Sequence, residues 1–287
     1  MDESKTAGEL VLVATPLGNL GDLSSRALDL FRRADVIYCE DTRHSRTLFS
    51  AHDIPAGGRL RALHEHNEVA QSAQVVERVA AGELVVLISD AGTPGISDPG
   101  TRVVAAVIDA GLRVTTAPGP SAVIAALTVS GLSTERFVME GFLPRKAGER
   151  AQRYEEWANE ERTVVFYESP QRVASVVGEL AERFPRRRVA VARELTKLHE
   201  EVIRGTASEV ADELSRRDIL GEVVVVLEGA TLSEVVEDEA VVAALVEQWS
   251  EGVTTRDAVD YVSKMLGVPH RDVYQLALAA RKDASTK

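Results

Sequence analysis

Residues 84–100, Leu84-Val-Val-Leu-Ile-Ser-Asp-Ala-Gly-Thr-Pro-Gly-Ile-Ser-Asp-Pro-Gly100, constrain this chain more than any other stretch. The run from Leu84 to Ile88 is wholly apolar and short, which fits a strand covered on both faces, as in a parallel sheet. It empties into a loop of Gly, Pro, Ser, Thr and Asp, and a helical pattern resumes at Thr101. In an open α/β sheet, ligands bind in the loops that leave the carboxyl ends of the strands. Gly92, Gly95 and Gly100 permit backbone angles and close approaches that other residues resist. Pro94 and Pro99 fix φ and stiffen the turn. An ordinary strand-to-helix turn runs about 2–6 residues, whereas this one is longer and carries Asp90, Asp98 and several hydroxyls.

The same alternation of strand and helix extends on both sides. Strands are expected at Glu9–Thr15, Asp35–Cys39, Arg59–Leu63 and Arg113–Thr116, with helices between them. Ser24 or Ser25 caps the first helix, with Leu28, Phe31 and Ala34 at helical spacing. Asn67 caps another, which Gly82 ends. Alternation of this kind implies a parallel sheet with crossover helices. After Ala117-Pro-Gly-Pro-Ser121 comes an Ala/Val-rich helix to about Ser130, then a polar segment, Gly141–Arg162. The pattern then restarts: a strand at Thr163–Tyr167, a helix opened by Ser169-Pro170, a strand at Arg188–Ala192, its neighbour at Glu200–Arg204, a helix over Ala207–Arg216 and a buried strand at Glu222–Leu227. Residues 233–283 contain no strand-like run. Helical patterns at Glu234–Ser250, Arg256–Leu266 and Arg271–Arg281, broken by Gly252 and Gly267, have the form of a helix-turn-helix unit. The expected organisation is therefore an α/β domain over 1–119, a second over 120–231 and a helical tail over 232–287.

Composition narrows the class of protein. A single cysteine, Cys39, excludes an internal disulfide and a cysteine-cluster metal site, and it reads as a small buried residue at a strand end. His64 and His66 have the spacing of a metal pair, yet no third ligand is evident. No apolar run approaches the roughly 18 residues of a membrane span, and the polar Met1–Lys5 start is unlike a signal peptide, so a cytosolic enzyme is expected. The net charge of −12 argues against nucleic-acid binding over the whole surface but leaves room for a local basic face.

The 90–100 loop lacks the lysine of a P-loop, and its glycine spacing does not match the dinucleotide fingerprint. What it offers is backbone groups, hydroxyls and carboxylates. Those suit a ligand with ribose hydroxyls, an adenine edge and a cationic centre, and S-adenosylmethionine is such a molecule. Its sulfonium is favoured by a negative field, whose source the sequence does not reveal.

Six segments occur in order: Ala14-Thr-Pro-Leu-Gly-Asn-Leu-Gly-Asp22, Glu40-Asp-Thr-Arg43, Ser89 to Gly100, Ala117-Pro-Gly-Pro-Ser-Ala122, Phe166-Tyr-Glu-Ser-Pro170 and Arg193-Glu-Leu-Thr-Lys-Leu-His-Glu200. Together they resemble the ribosomal RNA small subunit methyltransferase I family, of the tetrapyrrole-methylase-like class of S-adenosylmethionine enzymes, over about residues 9–230. The tail resembles that family's C-terminal helix-turn-helix. The resemblance implies two α/β domains with the cofactor in the cleft between them, a homodimer, and 2′-O-methylation of a cytidine in the decoding centre of 16S rRNA. It places cofactor contacts at Gly92, Thr93, Ile96, Ser121, Ala122, Tyr167 and near Leu195. Where the wider class has an Asp after the loop glycine, this chain has Thr93, which leaves Asp90 or Asp98 to supply a carboxylate.

A ribose hydroxyl is a poor nucleophile while protonated, so a base or a cation near the oxygen is expected. Lys197 and Glu168 lead the candidates. Asn19, Asp41, Arg43 and Arg193 are candidates for substrate contact, although Glu168 with Arg193, and Asp41 with Arg43, are equally readable as structural pairs. Phosphate contacts require basic residues, and Arg43/Arg46, Arg59/Arg61, Arg145–Arg153, Arg186–Arg188 and the tail could supply them. Aromatic content of 5% argues against a base-stacking platform and for a substrate read by shape, such as the assembled 30S subunit. Two other readings stand beside this one: a methylase of a tetrapyrrole or protein substrate on the same fold, and a non-catalytic cofactor-binding module that contacts RNA.

Overall fold

The computed structural model describes residues 8–230 and 238–284. The chain forms two compact units, residues 1–229 and residues 230–287.

The first unit contains two five-stranded sheets. In the first, β1 (Glu9–Val13), β2 (Val36–Cys39), β3 (Leu60–Ala62), β4 (Leu84–Leu87) and β5 (Arg113–Ala117) lie in the order β3-β2-β4-β1-β5. Every pairing is parallel. The alternate side chains of β4 serve two cores, as a doubly covered strand requires. Val86, with Ile88 beyond it, packs on the side of α1 (Ser25–Arg33) and α2 (Thr42–Ala51), whereas Val85 and Leu87 pack on the side of α3 (Glu68–Ala80) and α4 (Thr101–Asp109). Ser24 caps α1, its hydroxyl accepting from the Ala27 amide at 3.1 Å. The buried stripe of α1 is Ala27, Leu30 and Phe31, one position away from the expected Leu28. Cys39 is fully buried at the end of β2.

The second sheet differs in kind from the first. Its order is β6-β7-β10-β8-β9, built from β6 (Phe137–Phe142), β7 (Thr163–Glu168), β8 (Arg188–Arg193), β9 (Glu201–Thr206) and β10 (Val223–Leu227). Only β6 and β7 pair in parallel; β10 is antiparallel to both β7 and β8, and β9 is antiparallel to β8. The apolar run of β10 had the same appearance as β4 because both strands are central and covered on two faces. Val223, Val225 and Leu227 meet Tyr154, Trp157 and the apolar faces of α7 (Pro170–Arg183) and α8 (Ala207–Leu214). Val224 and Val226 meet α5 (Ala122–Ser130). The polar segment 141–162 contains structure that its composition conceals. β6 runs into its start, and α6 (Ala147–Trp157) follows. Arg150, Glu179 and the Tyr154 hydroxyl form a hydrogen-bonded group beneath α6.

The tail is a three-helix unit with its own core. α9 (Asp238–Ser250), α10 (Thr255–Leu266) and α11 (His270–Ala284) enclose Val241, Leu245, Ala258, Val259, Val262, Val273 and Ala277. Thr254 caps α10, and Gly267, at φ 68°, ends it. The expected helix start at Glu234, the Met1–Lys5 stretch and the boundary at 231–232 lie outside the described residues.

Candidate active site

Strand order brings three loops together. β1 lies between β4 and β5, so the loops that leave the carboxyl ends of these strands are neighbours. Thr15 and Gly92 exchange backbone hydrogen bonds of 2.9 and 3.0 Å, and the Thr93 hydroxyl donates to the Pro120 carbonyl at 3.0 Å. Gly92 has φ +81°, a backbone conformation that favours glycine, and a Cβ there would crowd Leu17 Cδ2 at 3.2 Å. Ser97, not a glycine, is also held in the left-handed region, at φ 61°. The far end of the loop is fixed by a residue from another element. Gly100, the N-cap of α4, has no side chain with which to cap it; Glu68 of α3 instead accepts from the Gly100 and Arg102 amides at 2.9 and 3.0 Å.

These loops face one edge of the second sheet across a cavity of about 350 Å³, within the range of about 300–1,000 Å³ usual for small-molecule sites. Because β10 is antiparallel to its neighbours, its start lies at the same edge as the ends of β7 and β8, with Val223 opposite both Glu168 and Arg193. Phe142, Tyr167, Ala192, Leu195, Val223 and Val224 give this wall its apolar surface. The Phe142 and Tyr167 rings meet at a centroid separation of 5.3 Å. Leu195 stands between two left-handed non-glycine residues, Glu194 (φ 51°) and Thr196 (φ 66°). Such backbone costs about 1–3 kcal/mol per residue and persists only where its surroundings enforce it. Here the enforcement is visible. The Glu222 amide donates to Glu194, the Thr196 amide donates to Glu200, and Arg193 donates to the carbonyls of Leu220 and His199. The loop also meets the first sheet's side, where the Asn19 amide donates to the Thr196 hydroxyl at 3.2 Å and the Lys197 stem lies against Gly18.

Charge in this cavity is one-sided. Asp90, Asp98, Glu168 and Glu222 line it, and no Lys, Arg or His does. Burial, followed by the nearby Glu40 and Asp90 carboxylates, pushes Asp98 up to about 6, despite a hydrogen bond from Ser89. Glu40 is raised as well, by burial and then by Asp90. Asp90 is engaged structurally, accepting from the Asp41 amide at 3.1 Å. The electrostatics reject a phosphate and welcome a cation. The apolar wall with its two rings, and the backbone and hydroxyls of residues 91–93 and 121, fit the aliphatic chain and the nucleoside of S-adenosylmethionine.

Asp90, Gly92, Thr93, Ile96, Ser121, Ala122, Tyr167 and Leu195, the candidates for cofactor contact, all line this one cavity, and Glu168 lines it too. Glu168 does not pair with Arg193. It is buried, accepts from its neighbour's Ser169 amide at 2.7 Å and pairs with Arg172 at 3.1 Å. Arg193 pairs with Glu201 and clamps two loops through their carbonyls, so its guanidinium is committed within the fold. Lys197 is not among the lining residues; its ammonium is held by Glu194 at 2.9 Å and Glu222 at 3.2 Å. Burial alone would pull this ammonium down, but the carboxylate bonds outweigh it and the net shift is upward, which makes Lys197 a persistent cation and not a base. Asp41 and Arg43 pair with each other, away from the lining, and the Asn19 side chain accepts from the Gly21 amide. Among the basic candidates, Arg59, Arg61, Arg150 and Arg187 are occupied by backbone carbonyls. Sequence reasoning missed Leu17, Phe142 and the Gly221–Val224 segment. The signal for the last lay in Gly221-Glu222 preceding an apolar run, but only an antiparallel strand puts its beginning at the edge that faces the cavity.

The sequence pattern of the tetrapyrrole (corrin/porphyrin) methylases matches residues 9–211, which take in the whole first sheet, four of the five strands of the second and all of the cavity lining except Gly221–Val224. A ribosomal RNA small subunit methyltransferase I from Mycobacterium tuberculosis (strain CDC 1551 / Oshkosh) is 42% identical over 280 residues, 97% of either chain. The chain belongs to the tetrapyrrole methylase family and, within it, to the ribosomal RNA small subunit methyltransferase I group. A protein of the same name from Xylella fastidiosa (strain Temecula1 / ATCC 700964) is 43% identical over 94% of this chain and 98% of its own. The fold is also that of uroporphyrin-III C-methyl transferase from Thermus thermophilus, solved in complex with S-adenyl homocysteine. That structure is 21% identical, covers 77% of this chain and 97% of its own, and superposes with a TM-score of 0.53.

Proposed function

We propose that this protein methylates the 2′-hydroxyl of a cytidine ribose in the decoding centre of 16S rRNA, with S-adenosylmethionine as the donor and the 30S subunit as the form of the substrate. It is a methyltransferase whose relatives are named for small-subunit rRNA. The observation that carries the cofactor reading is the cavity itself, which holds four carboxylates, no basic group and a two-ring apolar wall.

When bound, the cofactor supplies an electrophilic methyl on a positively charged sulfur. The chain's own residues do the rest. Asp98 and Asp90 set a negative field, Tyr167 and Phe142 offer an apolar surface on one side, and Gly92 and Thr93 let the backbone approach closely. Holding donor and acceptor in line provides much of the rate by orientation alone. Lys197, kept protonated by two carboxylates, is the cation fitted to stabilise an oxygen as it loses its proton. Glu168, tied to Arg172 and to the start of α7, positions the wall. No arginine lines the cavity to meet the carboxylates of a tetrapyrrole, which weighs against that alternative substrate. Among the described residues no helix is long and apolar enough to cross a membrane. The proposed enzyme acts in the cytoplasm as a homodimer.

The test combines purified protein, methyl-labelled S-adenosylmethionine and either free 16S rRNA or 30S subunits, with the RNA digested to nucleosides. Label must co-elute with 2′-O-methylcytidine and appear chiefly from 30S. Label on the base, or cofactor binding with no label in RNA, overturns the proposal.

A further inference from the structure

The cavity lies between two sheets that bring carboxylates from several elements into one place, and the carboxylates differ in their surroundings. Glu168 has Arg172, Glu222 has Lys197, and Asp90 accepts from the Asp41 amide. Asp98 alone among the four lining acids has neither an ion-pair partner nor a backbone donor among the described residues. What faces it is the Ser89 hydroxyl at the end of β4, the Glu40 carboxylate at the end of β2, Asp90 and, from β7, the Tyr167 phenol, whose own ionisation is opposed by burial and then by Asp98. His64, beyond β3, acts on Glu40 and so on this group at one remove. A carboxylate placed in an apolar cavity beside other acids, with no cation, lacks its counter-charge.

We infer that Asp98 is the residue that distinguishes the positively charged methyl donor from its uncharged thioether product. The inference rests on the cofactor reading given above. Donor and product have nearly the same shape and differ by one methyl group and one charge. Every contact to adenine, ribose and the amino-acid end is shared and cancels in a comparison of the two. Only a group that responds to the charge on sulfur separates them, and an uncompensated carboxylate in a low-dielectric cavity is such a group. After transfer the charge is gone, Asp98 again lacks a partner, and the product loses the attraction that held the donor. Discrimination therefore depends on Asp98 being ionised. Its surroundings push it up to about 6, so selectivity is present at neutral pH and is lost as the carboxyl takes up a proton.

Isothermal titration of S-adenosylmethionine and S-adenosylhomocysteine into the full chain between pH 5 and pH 7 tests this. In the wild type, the preference for the donor is expected to fall about tenfold from pH 7 to pH 5, following the ionised fraction of one carboxyl. Donor binding at pH 6, run in two buffers of different ionisation enthalpy, is expected to release protons, and product binding to release fewer. Asp98→Asn is expected to bind both ligands with a low, pH-independent preference and no excess proton release. Glu40→Gln removes the repelling neighbour; the pH profile is expected to move to lower pH with its neutral plateau unchanged. A wild-type preference that is flat with pH, or one that Asp98→Asn retains, overturns the inference while leaving the cofactor reading intact. Failure of both ligands to bind the wild type at any pH overturns both.

Discussion

Glu68→Ala removes the cap from α4 without touching α4 itself. Glu68 lies on α3, is nearly buried, and one of its oxygens accepts from the amides of Gly100 and Arg102. A hydrogen bond to a charged acceptor contributes about 1.5–3 kcal/mol net, and a carboxylate at a helix start adds about 0.3–1 kcal/mol. The two bonds share one oxygen and are not additive, so the expected cost is about 3 kcal/mol for alanine. Glu68→Gln keeps an oxygen and loses the charge, for about 1 kcal/mol on the same reasoning. For a unit of this size, 1 kcal/mol moves the melting temperature about 2–4 °C. The alanine variant should therefore melt roughly 6–12 °C lower and the glutamine variant a few degrees lower. Because the cap fixes the end of the 89–100 loop, S-adenosylmethionine affinity should fall with stability in the alanine variant. Thermal melting by circular dichroism reads the first effect, and hydrogen exchange at the Gly100 and Arg102 amides reads its location. An alanine variant that melts within about 2 °C of the wild type would refute the capping argument. A melting loss with unchanged exchange at those two amides would refute its placement.

Three further outcomes follow from the same geometry. Asp98 has a folded pKa above its unfolded one, so its contribution to stability is greatest below the ordinary carboxylate range and is lost as pH rises through about 6; Asp98→Asn should raise the melting temperature of the cofactor-free protein by a few degrees at pH 7.5 and leave it unchanged near pH 4. Lys197→Ala should cut kcat at least tenfold, on the scale of losing one charge-stabilising group, with a much smaller change in cofactor affinity; equal loss of both in kinetics and calorimetry would make Lys197 a structural residue. Gly221 has φ +87°, and a Cβ there would stand 2.2 Å from Glu194 Oε1, so Gly221→Ala should cost about 2 kcal/mol or more in a denaturant titration through strain and displacement of Glu194, whereas Gly57→Ala, with open space around it, should cost only its backbone strain.

Much of the site was legible in the residues. The strands that feed it are short apolar runs, the loops that leave them are marked by glycine and proline, and the absence of a lysine and of the dinucleotide spacing pointed away from a phosphate ligand. Local rules sufficed because each of these features is local. β6 escaped notice for a physical reason: it is an edge strand with a register shift between Met139 and Phe142 and mostly half-exposed side chains, so it shows neither a buried run nor a clean alternation. The direction of β10 escaped for another, since a strand covered on both faces is apolar throughout whether its neighbours are parallel or antiparallel.

The sequence by itself determined that residues 84–100 form a strand and a long glycine- and proline-marked loop, and which side chains stand on it. Hydrophobic runs and turn residues decide such matters within a few positions of themselves. Tertiary structure alone decided what those side chains are worth. Antiparallel pairing carries Gly221 and Glu222 to the cavity, α3 lends Glu68 to cap α4, and Lys197 is held by carboxylates 3 and 25 residues away. Asp98 and Asp90 look alike in the sequence. They differ in the fold because one accepts a backbone amide and the other lies beside acids brought together from strands far apart in the chain.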